Sequence, residues 1–152
     1  MKGPLSKIDY RYYTSFNKPI ICMLVSFWKK VSYAVSIPHR KLYPYLRWKY
    51  NNYYSVLTVA IKGNKIIGTC GAINYKFFSA YGLLRGSVGV DAAIDRNISG
   101  YNRFIFLVVY KKMLNILLRD QDFIFCFPSK IASKMYRATG WLAPANIFLF
   151  KK

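Results

Sequence analysis

Glutamate is absent from this sequence, and its five acidic residues, all aspartates, stand against 24 lysines and arginines for a formal net charge of +19. A side-chain general base is therefore confined to an aspartate or to His39, the single histidine, with water as the remaining choice. Cysteine is scarce as well: Cys22, Cys70 and Cys126 lie far apart, each within an apolar run (IICML, GTCGA, FIFCFP). That spacing excludes a disulfide framework and a zinc motif, and it predicts buried thiols acting as small hydrophobes. No metal site is expected. The opening MKGPLSKIDYRYY is polar where a secretory leader carries an apolar stretch, and no apolar run approaches the roughly 20 residues that cross a bilayer. The expected location is the cytoplasm, with peripheral contact to a membrane surface left open.

What is present is a chain of 152 residues, 54% hydrophobic and 18% aromatic. That length suits one domain over residues 1–152, and that composition is too rich in apolar side chains for a disordered segment. The excess of positive charge attracts polyanions at long range, without choosing among nucleic acid, anionic lipid headgroups, acidic glycans and a phosphorylated cofactor.

PIICMLVSFWKKV, residues 19–31, opens with a proline suited to a first helical turn and has mixed apolar and basic faces, which predicts a helix. A second amphipathic helix is expected over HRKLYPYLRWKYNN, residues 39–52, with Pro44 limiting where it begins. From Tyr53 the period changes. Two β-branched apolar strands flank Gly63-Asn64, a two-residue hairpin signal, and a turn near Ala80-Tyr81-Gly82 leads into a third strand, LLRGSVGVDAAI. Asp95 to Gly100 read as a polar loop, and YNRFIFLVVYKKMLNILL, residues 101–118, as a long buried helix with Lys111 and Lys112 on its opposite face. FIFCF, residues 123–127, has the continuous apolarity of a central strand, ended by Pro128. Ser129 then caps a short helix closed by Gly140, and IFLFKK is a last strand. This order predicts an α/β (α+β) fold, a mixed, mainly antiparallel sheet flanked by about four helices.

Four segments taken in order, LRWKYNN, NKIIGTCGAI, VDAAIDRNISGYNRFIF and FIFCFPSKIASKMYRATGW, resemble the GNAT superfamily of acyl-coenzyme A-dependent N-acyltransferases over roughly residues 46–150. The first is similar to a segment met in members from bacterial polysaccharide loci. The resemblance implies acetyl-coenzyme A as co-substrate, its pyrophosphate at the N-terminus of the central helix, where free N–H groups and the helix dipole favour an anion. The loop reads Ser99, Gly100, Tyr101, Asn102, Arg103, Phe104 where the family has Arg-Gly-x-Gly-x-Gly/Ala, so it keeps one glycine. Asn102 tolerates a left-handed backbone, Arg96 and Arg103 supply charge, and Phe104 adds bulk. The resemblance further implies that backbone groups of Ala92, Ala93 and Ile94 pair with the pantetheine arm, and that Ser129 bonds the cofactor where the family often has an asparagine.

Acetyl transfer to an amine needs a base, a polarised thioester carbonyl and a proton for the departing thiolate. Asp91, on the strand of the implied pantetheine contacts, is the candidate base; its competing reading is a neutralising partner for Lys or Arg. Tyr136 is the candidate acid by family position, its competing reading a packed tyrosine with a hydrogen-bonded tip. His39, beside Arg40 and Lys41, reads as a surface residue. The expected function is an N-acetyltransferase acting on the amine of a small molecule or amino sugar. The alternatives are a catalytically silent binding module of the same fold and a basic nucleic-acid-binding protein, the latter from Lys and Arg interleaved with Tyr and Trp in residues 39–50. An anionic membrane surface is a further partner class. The chain ends soon after its last predicted strand, earlier than the resemblance implies, so a shortened relative or a homodimer through the C-terminal sheet edge is expected there.

Overall fold

The computed structural model describes residues 8–31, 37–53, 56–98, 102–127, 133, 136–137 and 148–151, with the backbone alone at 39, 53, 102, 103 and 148–151. In chain order the elements are β1 (Ile8–Tyr13), α1 (Lys18–Val31), α2 (His39–Tyr53), β2 (Val56–Lys62), β3 (Lys65–Ser79), β4 (Gly82–Ile94), α3 (Asn102–Leu117), β5 (Phe123–Cys126) and β6 (Phe148–Lys151). Ser133, Tyr136 and Arg137 are also helical. The strands form one sheet in the order β1-β2-β3-β4-β5-β6. Every pairing is antiparallel except β4 with β5, which are parallel and joined through α3. This is the mixed, mainly antiparallel sheet that the sequence predicts.

β2 explains the layering. Leu57, Val59 and Ile61 join a cluster with Leu24 and Phe27 of α1 and Leu42, Leu46 and Tyr50 of α2, while Val56 and Ala60 join Ile105, Val109 and Met113 of α3 on the other face. A strand covered on both faces loses its polar alternation, which is why β2 reads as continuously apolar. Thr58, its one buried hydroxyl, donates toward the carbonyl oxygens of Cys70 and Val109, each at 2.9 Å, and so ties α3 to the sheet.

Asn17 starts α1, its side-chain oxygen accepting from the Ile20 N–H at 3.3 Å. Ile20, Ile21, Leu24, Phe27 and Val31 form the buried stripe of that helix. Cys22 follows Ile21 by one residue, a turn of about 100° off that stripe, and is exposed; Cys70 and Cys126 are the two buried thiols. The expectation of three buried cysteines is corrected accordingly. Pro44 does not set the start of α2, which runs through it from His39. Burial of Leu42, Leu46 and Tyr50 at helical spacing holds the segment, and the one lost bond falls on the carbonyl of Arg40, in a first turn open to water.

β1 precedes the first helix and has no counterpart in the sequence reading. Ile8 and Tyr10 pack partly against the α3 cluster while Asp9 and Arg11 point outward and pair at 2.6 Å. Lys112 is not a solvated counterpart of Lys111, because its Nζ donates to the carbonyl of Tyr10. Gly63 supplies φ +59° in the β2–β3 turn, where Lys62 pairs with Lys65. No helix among the described residues is long and apolar enough to cross a membrane.

Candidate active site

The parallel β4–β5 pairing begins at Gly86 with Phe123 and ends at Gly89 with Cys126. β4 continues past that point to Ile94, still paired on its other side with β3 through Ala93 with Thr69 and Ile94 with Gly68. Val90 to Ile94 therefore hold one backbone edge against β3, and the other edge has no strand partner among the described residues. Ala92 is exposed, and Ala93 and Ile94 are half-buried, so little side-chain bulk crowds this edge.

A β-bulge opens the edge. The β3–β4 register shifts between Thr69 and Gly71, and Asp91 takes the left-handed backbone at φ +50°. Aspartate tolerates that region better than most residues, and the Thr69 hydroxyl donates to the Asp91 carbonyl oxygen at 2.7 Å, fixing the kink. The Asp91 carboxylate faces α2. Lys49 Nζ donates to its two oxygens at 3.0 and 2.9 Å, and the Tyr50 hydroxyl donates to one of them at 3.1 Å. Tyr50 in turn accepts from Trp28 Nε1 at 3.1 Å. Burial, and then the neighbouring Asp91 charge, push the Tyr50 phenol well above its ordinary value, so it stays a donor.

Lys49, Tyr50, Trp28 and Thr69 are the residues that sequence reasoning did not place in the site. The segment LRWKYNN contains two of them, but their partner lies beyond the reach of any local pattern.

Past Ile94 the chain turns on Asp95. Its N–H bonds the Ile67 carbonyl at 2.9 Å, and its carboxylate accepts from the Asn97 N–H at 3.0 Å. Asp95 is thus a buried structural residue. Ser99, Gly100 and Tyr101 lie outside the described residues, as does Ser129. Asn102 and Arg103 open α3. Phe104 is 60% exposed, so its ring lies outside the core, while Ile105 beside it is fully buried.

Tyr136 sits under α3, only 5% exposed, with its ring edge-on to Phe106 at 5.9 Å and to Tyr110 at 5.6 Å. Desolvation raises its pKa strongly, with Cys70, Cys126 and Tyr110 adding to the effect, so the phenol keeps its proton. Asp91 and Tyr136 belong to opposite faces of the sheet, toward α2 and α3 respectively, and the free edge of β4 runs between those faces. Among the described residues no cluster of three or more His, Cys, Asp or Glu is placed to hold a metal ion.

No family model and no curated protein matches this sequence. Solved structures do. A predicted acetyltransferase from Clostridium acetobutylicum, solved with acetyl-CoA, superposes with a TM-score of 0.67 at 22% identity, covering 90% of each chain. An acetyltransferase from Trypanosoma brucei reaches a TM-score of 0.70 at 12% identity, covering 91% of this chain and 95% of its own. A GNAT family acetyltransferase from Brucella melitensis, in complex with acetyl-CoA, gives 0.69 at 11% identity over 96% and 88% of the two chains. The chain has the GNAT acetyltransferase fold. The likeness is one of fold, at 11–22% sequence identity.

Proposed function

We propose that this chain binds acetyl-coenzyme A along the free edge of β4 and transfers its acetyl group to the amine of a small molecule or amino sugar. The observation that supports the reading is the mismatch of the parallel pair: β4 outruns β5 beyond Gly89, so among the described residues no strand pairs with that edge of Ala92, Ala93 and Ile94, where a ligand would add like a strand. The small side chains of Ala92 and Ala93 support such a ligand. The edge leads directly to the turn at Asp95 and to the N-terminus of α3, where residues 99–104 would receive phosphates on backbone N–H groups; Ser129 would add a hydroxyl.

The bound thioester would supply an activated acetyl carbonyl and a thiol leaving group. The carboxylate of Asp91 would take the proton lost by the attacking amine, directly or through water. Lys49 and Tyr50 hold that carboxylate in place with three donated bonds. As the carbon–sulfur bond broke, the sulfur would take a proton, and Tyr136, which burial keeps protonated, would donate it. Calorimetric titration with acetyl-coenzyme A tests the binding step. Absence of heat from the folded protein would sink the reading.

One observation favours a second reading. The Asp91 charge is already matched by Lys49, with the two side chains 15% and 23% exposed, which suits a binding module of the same fold that performs no transfer. The two separate in a thiol-release assay: binding with no free coenzyme A produced across a panel of amines selects the silent module. A nucleic-acid role for residues 39–50 predicts binding that falls steeply with salt. A homodimer joining at the outer edge of β6 predicts twice the monomer mass in light scattering.

A further inference from the structure

The β3–β4 hairpin is longer than the sheet that carries it. β2 leaves β3 after the Val56–Ala72 pair, and β5 joins β4 only from Gly86. The rungs Phe77–Leu84, Phe78–Leu83 and Ser79–Gly82 therefore stand as a two-stranded arm with no third strand among the described residues.

One face of this arm is graded. Cross-strand partners share a face and residues alternate with period two, so Asn74 with Ser87, Lys76 with Arg85, and Phe78 with Leu83 lie in succession toward the tip. The first rung is polar and closed by a 2.6 Å bond from Ser87 Oγ to Asn74 Oδ1. The second is doubly basic. The third is apolar, with Phe78 91% exposed and Leu83 51% exposed, and Tyr81 in the turn beyond it is 97% exposed.

Two features of the arm make no sense for a water-facing hairpin. Large apolar side chains stand at the point farthest from the core, and two cations sit directly opposite each other, a pairing that weakens a sheet. Asp122 exchanges two 2.8 Å bonds with the Arg85 backbone, but its carboxylate stays 3.9 Å from the guanidinium, with both side chains well exposed. At the turn two backbone groups are satisfied internally: the Tyr81 N–H donates to Ser79 Oγ, which donates to the Gly82 carbonyl. A tip with paired backbone and apolar side chains can leave water at little polar cost.

We propose that this arm is a docking element for an anionic lipid surface, with Phe78, Tyr81 and Leu83 entering the interfacial layer and Lys76 and Arg85 meeting phosphate headgroups. The spacing fits: the basic rung is two residues, or about 7 Å, behind the apolar one, and interfacial elements bury to a depth of about 5–10 Å. Aromatic side chains with one polar end favour that layer. The net charge of +19 supplies long-range attraction to the same surface. Acetyl transfer plays no part in this inference.

The test uses the whole chain and phosphatidylcholine vesicles with and without phosphatidylserine. Cosedimentation is expected with the anionic vesicles alone. The double variant Phe78→Ser/Tyr81→Ser keeps every charge and lies outside the core, so it should melt like the parent yet bind roughly a hundredfold more weakly. Tyr81→Trp should show a blue-shifted emission on adding anionic vesicles. Equal binding by the double variant would leave diffuse charge as the whole cause and overturn the proposal, as would an unshifted tryptophan or no binding by the parent. A lipid-free dimer that the double variant dissolves would overturn it too, in favour of a second copy on the arm.

Discussion

Lys49 Nζ lies 3.0 and 2.9 Å from the two carboxylate oxygens of Asp91, across 42 residues of sequence. This pair joins α2 to Asp91, the one non-glycine among the described residues whose backbone is left-handed. Charge and backbone geometry thus meet at a single position, and substitutions there separate them.

Asp91→Asn keeps a side chain that accepts the left-handed backbone and the Tyr50 bond but loses the ion pair. Asp91→Ala loses both. The asparagine variant should cost about 1 kcal/mol and the alanine variant about 2–3 kcal/mol, a figure kept low because both charges retain some contact with water. Thermal unfolding of the two variants checks the order. An alanine variant as stable as the asparagine one would contradict it.

Alkaline pH should destabilise the fold. Burial pushes the Cys126 thiol up to about 12 and raises Cys70, Tyr50 and Tyr136 as well. Each group binds its proton more tightly folded than unfolded. Its contribution is therefore complete below its unfolded value, near 9 for the thiols and 10 for the phenols, and is lost as pH rises toward the folded value. Each group so titrating removes about 1.4 kcal/mol per pH unit. Melting temperature followed upward from neutral pH should stay level and then drop from about pH 9. A flat profile through pH ~11 would contradict this.

Gly86→Ala should weaken the β4–β5 seam. A Cβ built at Gly86 would meet Phe123 Cζ at 2.5 Å and Phe77 Cε2 at 2.8 Å, in the middle of a ring pair whose centroids are 5.1 Å apart. The expected loss is about 1–3 kcal/mol. Phe123→Leu in the same chain should recover part of it, which denaturant titration of the single and double variants would reveal.

Tyr136→Phe removes one oxygen from a closely packed ring. If the phenol donates the departing proton, turnover should fall about a hundredfold or more with the KM for acetyl-coenzyme A little changed. A variant with parental kcat would assign Tyr136 to packing alone.

Local chemistry accounts for what the sequence made legible. Gly63-Asn64 names its turn because few residues accept φ +59°, and the runs around it alternate or saturate with apolar residues according to how many faces they bury. β1 escaped because IDYRYY carries its alternation on tyrosines and a charge pair rather than on β-branched residues. α2 passed through Pro44 because tertiary burial outweighed a local penalty. Asp91 was visible as a carboxylate on the right strand, but its bulge is a matter of register with β3, and Lys49 arrives from a different layer. Tyr136 was legible as a helical residue; its burial depends on Phe106 and Tyr110, contributed by another helix.

β1 has a consequence for the order of assembly. Its partners are residues 57–62 of β2, and Tyr10 is tied to Lys112 of α3 across 102 positions. Docking it closes long loops, so it cannot settle until β2 and α3 are in place. On a ribosome residues 8–13 must wait unpaired until β2 has been made, and Tyr10 waits longer for Lys112. In hydrogen exchange the same strand should open first, on its own, exposing the outer edge of β2 while the central strands remain protected.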